Sequence, residues 1–434
     1  MVGVISICAV TCLGMIGSIL IKPTVKIRNI IFGLYWIIAL VGALVLALSG
    51  LISFKEIFQG ITADSTINPL KILVLFLSMT IMSIFLNEGG FFEYVAAKVL
   101  EKAGSNQKLV FTYLYITVSI LTIFTSNDII ILTFTPFICY YAKAAKVDPI
   151  PYLVAEFVAA NTWSMALIIG NPTNIYIATA TGIGFLEYAK VMALPAILSG
   201  IVSFIVLFLV FRKKLGTKII AERQEVNLKD KTMVWVGGLH LGICTIFLVI
   251  SSYINIEMWL ISLGFLISLI IISVLVQAIK RKKPVEVLNS FKHAPWELIP
   301  FVLSMFVLVL AMEKYGITST LANLFSTGDP ALVYGTTSMF VANLMNNIPM
   351  SVLYSSVSRL AGDSARIAAF AAIAGSNIGA FLTPVGALAG IMWSNMVKRL
   401  GVKYSFADFV KYGFITGIPA ILAAILGIRI SFLI

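Results

Sequence analysis

Seven asparagines, Asn127, Asn161, Asn171, Asn174, Asn346, Asn347 and Asn377, stand in stretches of this chain where charge is otherwise almost absent, and their spacing recurs. Asn161 is followed nine residues later by Gly170, and Asn377 nine residues later by Gly386. Asn127 and Asn347 precede these pairs. An asparagine amide offers two donors and an acceptor, so a cluster of them replaces the hydration shell of a small polar solute without adding net charge. Ser126, Thr162, Thr173, Ser376 and Thr383 add hydroxyls beside them. Taken singly, an asparagine in an apolar helix serves equally well as a hydrogen bond between helices. Their concentration at two duplicated breaks is what points to a binding site.

Asp128 is the acidic residue expected at the first of these tips. A carboxylate at membrane depth must be protonated, paired or cation-bound, so Asp128 is the first candidate to carry a coupling proton or cation, with Glu88 as the second. The plainer role for Asp128 is a cap on the helical run that starts at Ile129. Pro172 and Pro384 remove backbone donors, and Gly170 and Gly386 permit dihedrals other residues resist. One such break makes only a kink. Breaks in register in two halves of a chain free backbone groups that a partner, a cation or a solute must satisfy. Neither break carries Lys or Arg, which disfavours a multiply charged anion, although helix N-termini bind anions alone. Glu156, close in sequence to Lys143 and Lys146, is expected to face water. His240 reads as structural, and Arg429 as snorkelling at the outer end of the last helix. Cys8, Cys12, Cys139 and Cys244 lack metal-site spacing, so neither a metal nor another resident cofactor is expected beyond a coupling H+ or Na+.

The elements that hold these residues are membrane helices. Of 434 residues, 60% are hydrophobic and 12% charged, and the mean hydropathy is +1.02. That balance requires lipid as solvent. Apolar runs recur at about the 20-residue length of a span. Met1 opens into such a run with no cleavage pattern, which reads as a retained helix. The net charge of +12 is dispersed over loop ends rather than gathered on a face, which argues against nucleic acid and for topology. With the basic loops around Lys22–Arg28, Lys98–Lys108, Lys143–Lys146, Arg212–Lys231, Lys280–Lys292 and Lys398–Lys411 placed in the cytoplasm, both termini fall outside the cell.

The predicted architecture is all-α and polytopic, with about ten spans plus two re-entrant helical hairpins. A first inverted-topology repeat covers 1–211, a cytoplasmic linker 212–232, and a second repeat 233–434. The first repeat holds a hairpin at 109–142 and a broken helix at 151–185, with helices at 2–21 and 29–53 before them. The second holds a hairpin at 331–360 and a broken helix at 367–393. Glu88 with Gly90 is echoed by Glu313 with Gly316, at nearly the same offset as the hairpin asparagines.

At these residues the chain resembles the ion transporter superfamily, and in particular the arsenite-efflux permeases. The resemblance rests on Leu86 to Tyr94, on Asn127-Asp128 with Leu132, Thr133 and Pro136, on Ala294-Pro295-Trp296, on Met345 to Pro349, and on Leu382 to Ala389 followed by Trp393. It implies two inverted repeats, a midplane site at hairpin tips and broken helices, alternating access of an elevator-like kind, and a homodimer. Asn87, Asn161 and Asn377 stand where arsenite permeases carry Asp, and Ala387 stands for a Ser. Asparagine at the two helix positions is similar to the sodium/proton antiporter and sodium-coupled anion branches.

The reading that follows is a secondary active transporter of a small inorganic solute in the cell membrane, of arsenite and antimonite type. The open alternative is a sodium/proton antiporter or a sodium-coupled carboxylate or sulfate symporter. A channel and a membrane-embedded enzyme are further classes. The enzyme lacks the clustered His, Cys or activated Ser its chemistry would need.

Overall fold

A computed structural model describes residues 1–21, 24–27, 30–63, 68–216 and 226–433. Lys22, Arg28, Lys218 and Arg223 of the basic loops lie outside the described residues. The elements in order are α1 (Val2–Ile21), a short antiparallel pair β1 (Thr24–Ile27) and β2 (Ile30–Gly33), α2 (Leu34–Leu48), α3 (Phe54–Thr62), α4 (Pro69–Glu88), α5 (Phe91–Ala103), α6 (Gln107–Phe124) and α7 (Asn127–Ala144). There follow α8 (Ile150–Trp163), a 3-10 turn Ile168–Gly170, α9 (Pro172–Ala180), α10 (Phe185–Phe211), α11 (Lys231–Ile254), α12 (Met258–Ile279) and α13 (Val285–Lys292). The rest is α14 (Leu298–Lys314), α15 (Ile317–Phe325), α16 (Pro330–Met345), α17 (Asn347–Arg359), α18 (Ala365–Gly379), a 3-10 turn Pro384–Gly386, α19 (Leu388–Arg399) and α20 (Phe406–Ser431).

Seven described helices are long and apolar enough to cross a membrane, and eight if α14 and α15, bent by 77° at Tyr315 and Gly316, form one span. The other expected spans are built from shorter pieces. The helix expected over 29–53 starts only at Leu34 and ends at Leu48, because the preceding residues pair as β1 and β2. The short helices α3, α5, α13 and α15 replace what read as loops.

Local chemistry sets the ends. Asn68 caps α4, its Oδ1 accepting from the N–H of Leu70 at 2.9 Å and of Lys71 at 3.1 Å, with Pro69 at the first helical position. Ser53 with Glu56 and Ser405 with Asp408 form reciprocal capping boxes at α3 and α20. Outside the spans, the Lys314 ammonium and the Ser53 cap hold the Glu56 carboxyl down at about 2.

The order α4 to α10 recurs as α14 to α20. In each run a long helix turns at a left-handed glycine, Gly90 (φ 83°) or Gly316 (φ 72°), into a short helix. Two helices joined at an asparagine tip follow, then a broken helix, then a long one. The closest-packed helix pairs are α16 with α18 and α10 with α20, while α7 lies against α19 and α17 against α9. Elements of both halves therefore meet around the tips and breaks.

Candidate functional site

The first tip is the turn between α6 and α7. Asn127 opens α7, and its Nδ2 donates to Oδ1 of Asn161 on α8 at 3.0 Å, while Asn161 Nδ2 donates to the carbonyl of Phe157 at 2.8 Å. Both asparagines are buried. Ser126 is the N-cap residue but makes no side-chain capping bond. Asp128 follows inside the helix, partly buried, and makes no hydrogen bond among the described residues, so the capping role is not the one it takes here. It lies within electrostatic reach of Tyr35 on α2, whose hydroxyl donates to Glu297 at 3.1 Å.

The first break joins α8 to α9. Asn171 caps α9 through the N–H of Thr173 at 3.2 Å, ahead of Pro172. Asn174 Nδ2 donates to the carbonyls of Ser164 at 2.8 Å and Leu167 at 3.2 Å, satisfying acceptors that the break sets free. Gly170 is required by close approach, since a Cβ there would run into the Ser164 carbonyl. Asn377 on α18 ties this break to the second half of the chain. Its Oδ1 accepts from Ser164 Oγ at 2.7 Å and Asn171 Nδ2 at 3.1 Å, and its Nδ2 donates to Asn174 Oδ1 at 2.6 Å and to Ile373 O at 2.8 Å.

The second tip differs. Asn346 has φ 76° and ψ 152°, a region nearly reserved for glycine. Its Oδ1 accepts from the N–H of Ile348 at 3.3 Å, and its Nδ2 donates to the carbonyl of Val385 in the second break at 3.1 Å. Thr383 Oγ1 donates to Asn343 Oδ1 at 2.7 Å, and Asn343 Nδ2 donates to the carbonyl of Gly379 at 3.0 Å. A Cβ at Gly386 would come within 2.8 Å of Asn343 Oδ1, so Gly386, like Gly170, is there for space. Asn347 is buried and makes no side-chain hydrogen bond among the described residues.

The predicted polar residues divide by atom, with Asn127 on both sides through its bonded Nδ2 and its unpartnered Oδ1. Asn161, Asn171, Asn174, Asn346, Asn377 and Thr383 are engaged with protein groups. Ser126 Oγ, Asn127 Oδ1, Thr162 Oγ1, Thr173 Oγ1 and Ser376 Oγ are buried oxygens with no partner. Unpaired buried oxygens cost free energy, which a cation or a hydroxylated solute beside them would offset. Others without a partner stand elsewhere in the helices, at Thr80, Ser203, Ser273 and Thr416.

Glu88 is not at a tip. Its carboxylate accepts from Asn289 Nδ2 at 2.8 Å and pairs with His293 Nδ1 at 3.0 Å, both around the end of α13. A cavity of about 620 Å³ lies between the end of α4 and the outer face of α7, lined by Asn87, Glu88, Thr133, Tyr140, Lys143 and Lys229 among others. At it, Thr133 Oγ1 donates to Asn87 Oδ1 at 2.9 Å.

Glu156 corrects the sequence reading. It does not face water but is fully buried, with Thr135 Oγ1 of α7 at 3.1 Å from both carboxylate oxygens and Trp393 Nε1 of α19 donating to Oε2 at 3.3 Å. No described cation pairs with it. Sequence reasoning also missed Ser164, Asn343, Tyr35 and Glu297, whose residue types and spacing carry no signal before the helices are assembled. His240 does take a structural place, with Nδ1 2.8 Å from the carbonyl of Val236 and Nε2 3.2 Å from Ser268. Arg429 pairs with Asp329 at 2.9 Å.

A family model described as CitMHS, citrate transporter, matches residues 30–375 of this chain. The arsenical pump membrane protein of Escherichia coli is 26% identical over 374 residues, covering 82% of this chain and 86% of the pump. The putative arsenical pump membrane protein of Bacillus subtilis (strain 168) is 26% identical over 410 residues, covering 85% and 88%. The 46 kDa membrane protein of Mycobacterium leprae (strain TN) is 24% identical over 406 residues, covering 89% and 92%. The crystal structure of the YdaH transporter of Alcanivorax borkumensis matches with a TM-score of 0.61 at 11% identity, over 99% of this chain and 98% of that one, a likeness of fold alone.

Proposed function

The chain belongs to the citrate transporter family, CitMHS, and from that membership we propose that this multi-pass membrane transporter is a secondary active exporter of arsenite- or antimonite-type solutes. The observation that carries the reading is the character of the tips and breaks: unpartnered hydroxyl and amide oxygens, one carboxyl at Asp128, and no Lys or Arg in the tip and break segments. Arsenous acid is largely uncharged at neutral pH and presents hydroxyls, so hydroxyl and amide groups match it without a cationic clamp. The relatives named as arsenical pumps support the same choice.

In this reading 1–211 and 233–434 are two inverted repeats joined by 212–232, the α6–α7 and α16–α17 pairs are re-entrant hairpins, and access alternates by elevator-like movement. Ser126, Asn127, Thr162, Thr173, Asn347 and Ser376 contact solute or a coupling ion. Asn161, Asn171, Asn174, Asn346, Asn377, Thr383, Gly170 and Gly386 shape the breaks. Asp128 takes the coupling proton or Na+. Glu88, engaged by His293 and Asn289, serves at the solute's access path rather than at the tips. The working assembly is a homodimer.

A second reading has a specific support, the citrate in the family's description. A polycarboxylate would be bound through the N-termini of α7, α9, α17 and α19 with Na+ filling the vacant oxygen sites. Without a bidentate arginine that arrangement demands the cation. Accumulation of arsenite, antimonite and citrate in inside-out vesicles, under separate imposed proton, voltage and sodium gradients, tests both readings. Gradient-driven metalloid accumulation establishes the exporter. Sodium-dependent citrate movement with no metalloid movement overturns it in favour of symport.

A further inference from the structure

Two cavities occupy corresponding places in the two halves of the chain. The larger, about 620 Å³, lies between the end of α4 and the face of α7. The smaller, about 150 Å³, lies between the end of α14 and the face of α17, with Tyr176, Leu310, Glu313, Ser355 and Arg359 in its lining. Helix α4 corresponds to α14, and α7 to α17, so Glu88 and Glu313 are counterparts at one wall. At the other wall each half has a basic residue in the last turn of its helix, Lys143 on α7 and Arg359 on the shorter α17, although the two are not in register from the tip asparagines.

The pairing differs where the volume differs. Across the small cavity, Arg359 Nη2 donates to Glu313 Oε1 at 3.2 Å. Across the large one, Glu88 is turned to Asn289 and His293 on the other side, and Lys143 is exposed and has no ion-pair partner among the described residues. Beside the smaller cavity a carboxylate and a cation are paired, and beside the larger one, which Glu93 and Lys229 also line, Glu88 and Lys143 stand apart.

We propose that Glu313–Arg359 and Glu88–Lys143 are alternating latches of the transport cycle: the first, formed here, shuts the outer path along α17, and the second forms in its place when the larger cavity along α7 closes. This rests on the inverted-repeat reading, in which the two cavities open to opposite sides of the membrane. In the open path Thr133 lies on α7 between Asp128 and Lys143, so a solute following that helix from the basic-loop face passes the Thr133–Asn87 bond before it reaches the first tip. His293 and Asn289 hold Glu88 away from Lys143 while the path is open. Partly exposed ion pairs are weak, so each latch biases the two states by up to about fivefold and does not lock them. That suits a step that must reverse in every cycle.

The test uses the full chain in oriented vesicles, with Cys8, Cys12, Cys139 and Cys244 replaced, and T133C or S355C read by a membrane-impermeant thiol reagent from each side. Joining E313C to R359C with a short bifunctional linker should leave T133C labelled from the basic-loop side and S355C protected from the other. Joining E88C to K143C should reverse both. Without cross-linking, R359E should raise S355C labelling by up to about fivefold, and adding E313R should restore it. Labelling that ignores which pair is joined overturns the latches. Labelling of T133C and S355C from one and the same side overturns the inverted-repeat reading on which they rest, while leaving the solute assignment to the vesicle transport assay.

Discussion

Asn377 donates its side-chain N–H to Oδ1 of Asn174 at 2.6 Å, joining residues 203 positions apart across the break between α8 and α9. Asn377 has no capacity left over, since it also accepts from Ser164 and Asn171 and donates to Ile373, while Asn174 also holds the carbonyls of Ser164 and Leu167 and keeps one acceptor site on Oδ1. An asparagine repeat that reads in sequence as a set of solute ligands is, at these two positions, the seam between the halves of the molecule.

Removing Asn377 leaves Asn174 Oδ1 and Asn171 Nδ2 buried without a partner, and removing Asn174 takes a bond from Asn377 Nδ2 and from the Ser164 carbonyl. N377A should therefore lower unfolding stability by about 2–5 kcal/mol, given roughly 1–3 kcal/mol for each buried polar group left unpaired. N174A should cost a similar amount, and the double variant should cost less than the sum by about 1 kcal/mol or more. Chemical denaturation in detergent checks this. Additive losses would mean that the two side chains do not support each other.

At the second tip the backbone itself makes a prediction. Asn346 sits at φ 76° and ψ 152°, where a side chain costs about 1–3 kcal/mol that glycine does not incur. N346A and N346G lose the same bonds to Val385 and Ile348. N346G should nonetheless be the more stable of the two by about 1 kcal/mol or more, measured by thermal unfolding. Equal stabilities would show that the tip does not hold this conformation.

Much of this was legible before the helices were assembled. Asn127, Asn161, Gly170, Asn347, Asn377 and Gly386 stand out because polar and helix-breaking residues are rare in apolar runs, and the structure places them at tips and breaks. What each amide binds was not legible. The division into engaged amides and vacant oxygens depends on which helix crosses which, and local pattern does not encode crossings. Glu156 failed for the same reason: its neighbours in sequence include Lys143 and Lys146, whereas its neighbours in space are Thr135 and Trp393. The strand pair before Leu34 was missed because Thr24–Ile27 lies among the basic residues of a loop, and Ile30–Gly33 runs on into the apolar stretch of α2, where a short apolar run reads alike as helix or strand.

Glu156 yields a further expectation. Gln in its place keeps an acceptor for Trp393 and can donate to Thr135, so E156Q should change stability by less than about 1 kcal/mol. E156A strands the Thr135 hydroxyl and the Trp393 N–H, at about 1–3 kcal/mol each. Thermal unfolding should rank wild type and E156Q well above E156A. If E156A were as stable as wild type, the carboxyl would not be a joint between α7, α8 and α19.

Asp128 is the converse case, a carboxyl with no hydrogen bond to lose among the described residues. D128N should leave stability within about 1 kcal/mol of wild type, because no buried partner is stranded. Its effect should fall on transport. A neutral amide can neither carry a proton nor offer a charge to Na+, so gradient-driven accumulation should drop at least tenfold while downhill exchange persists. Transport in vesicles with and without imposed proton and sodium gradients separates these outcomes. Wild-type pH dependence in D128N would move coupling away from the first tip, and Glu156, the one fully buried carboxyl among the described residues, would be the next to substitute.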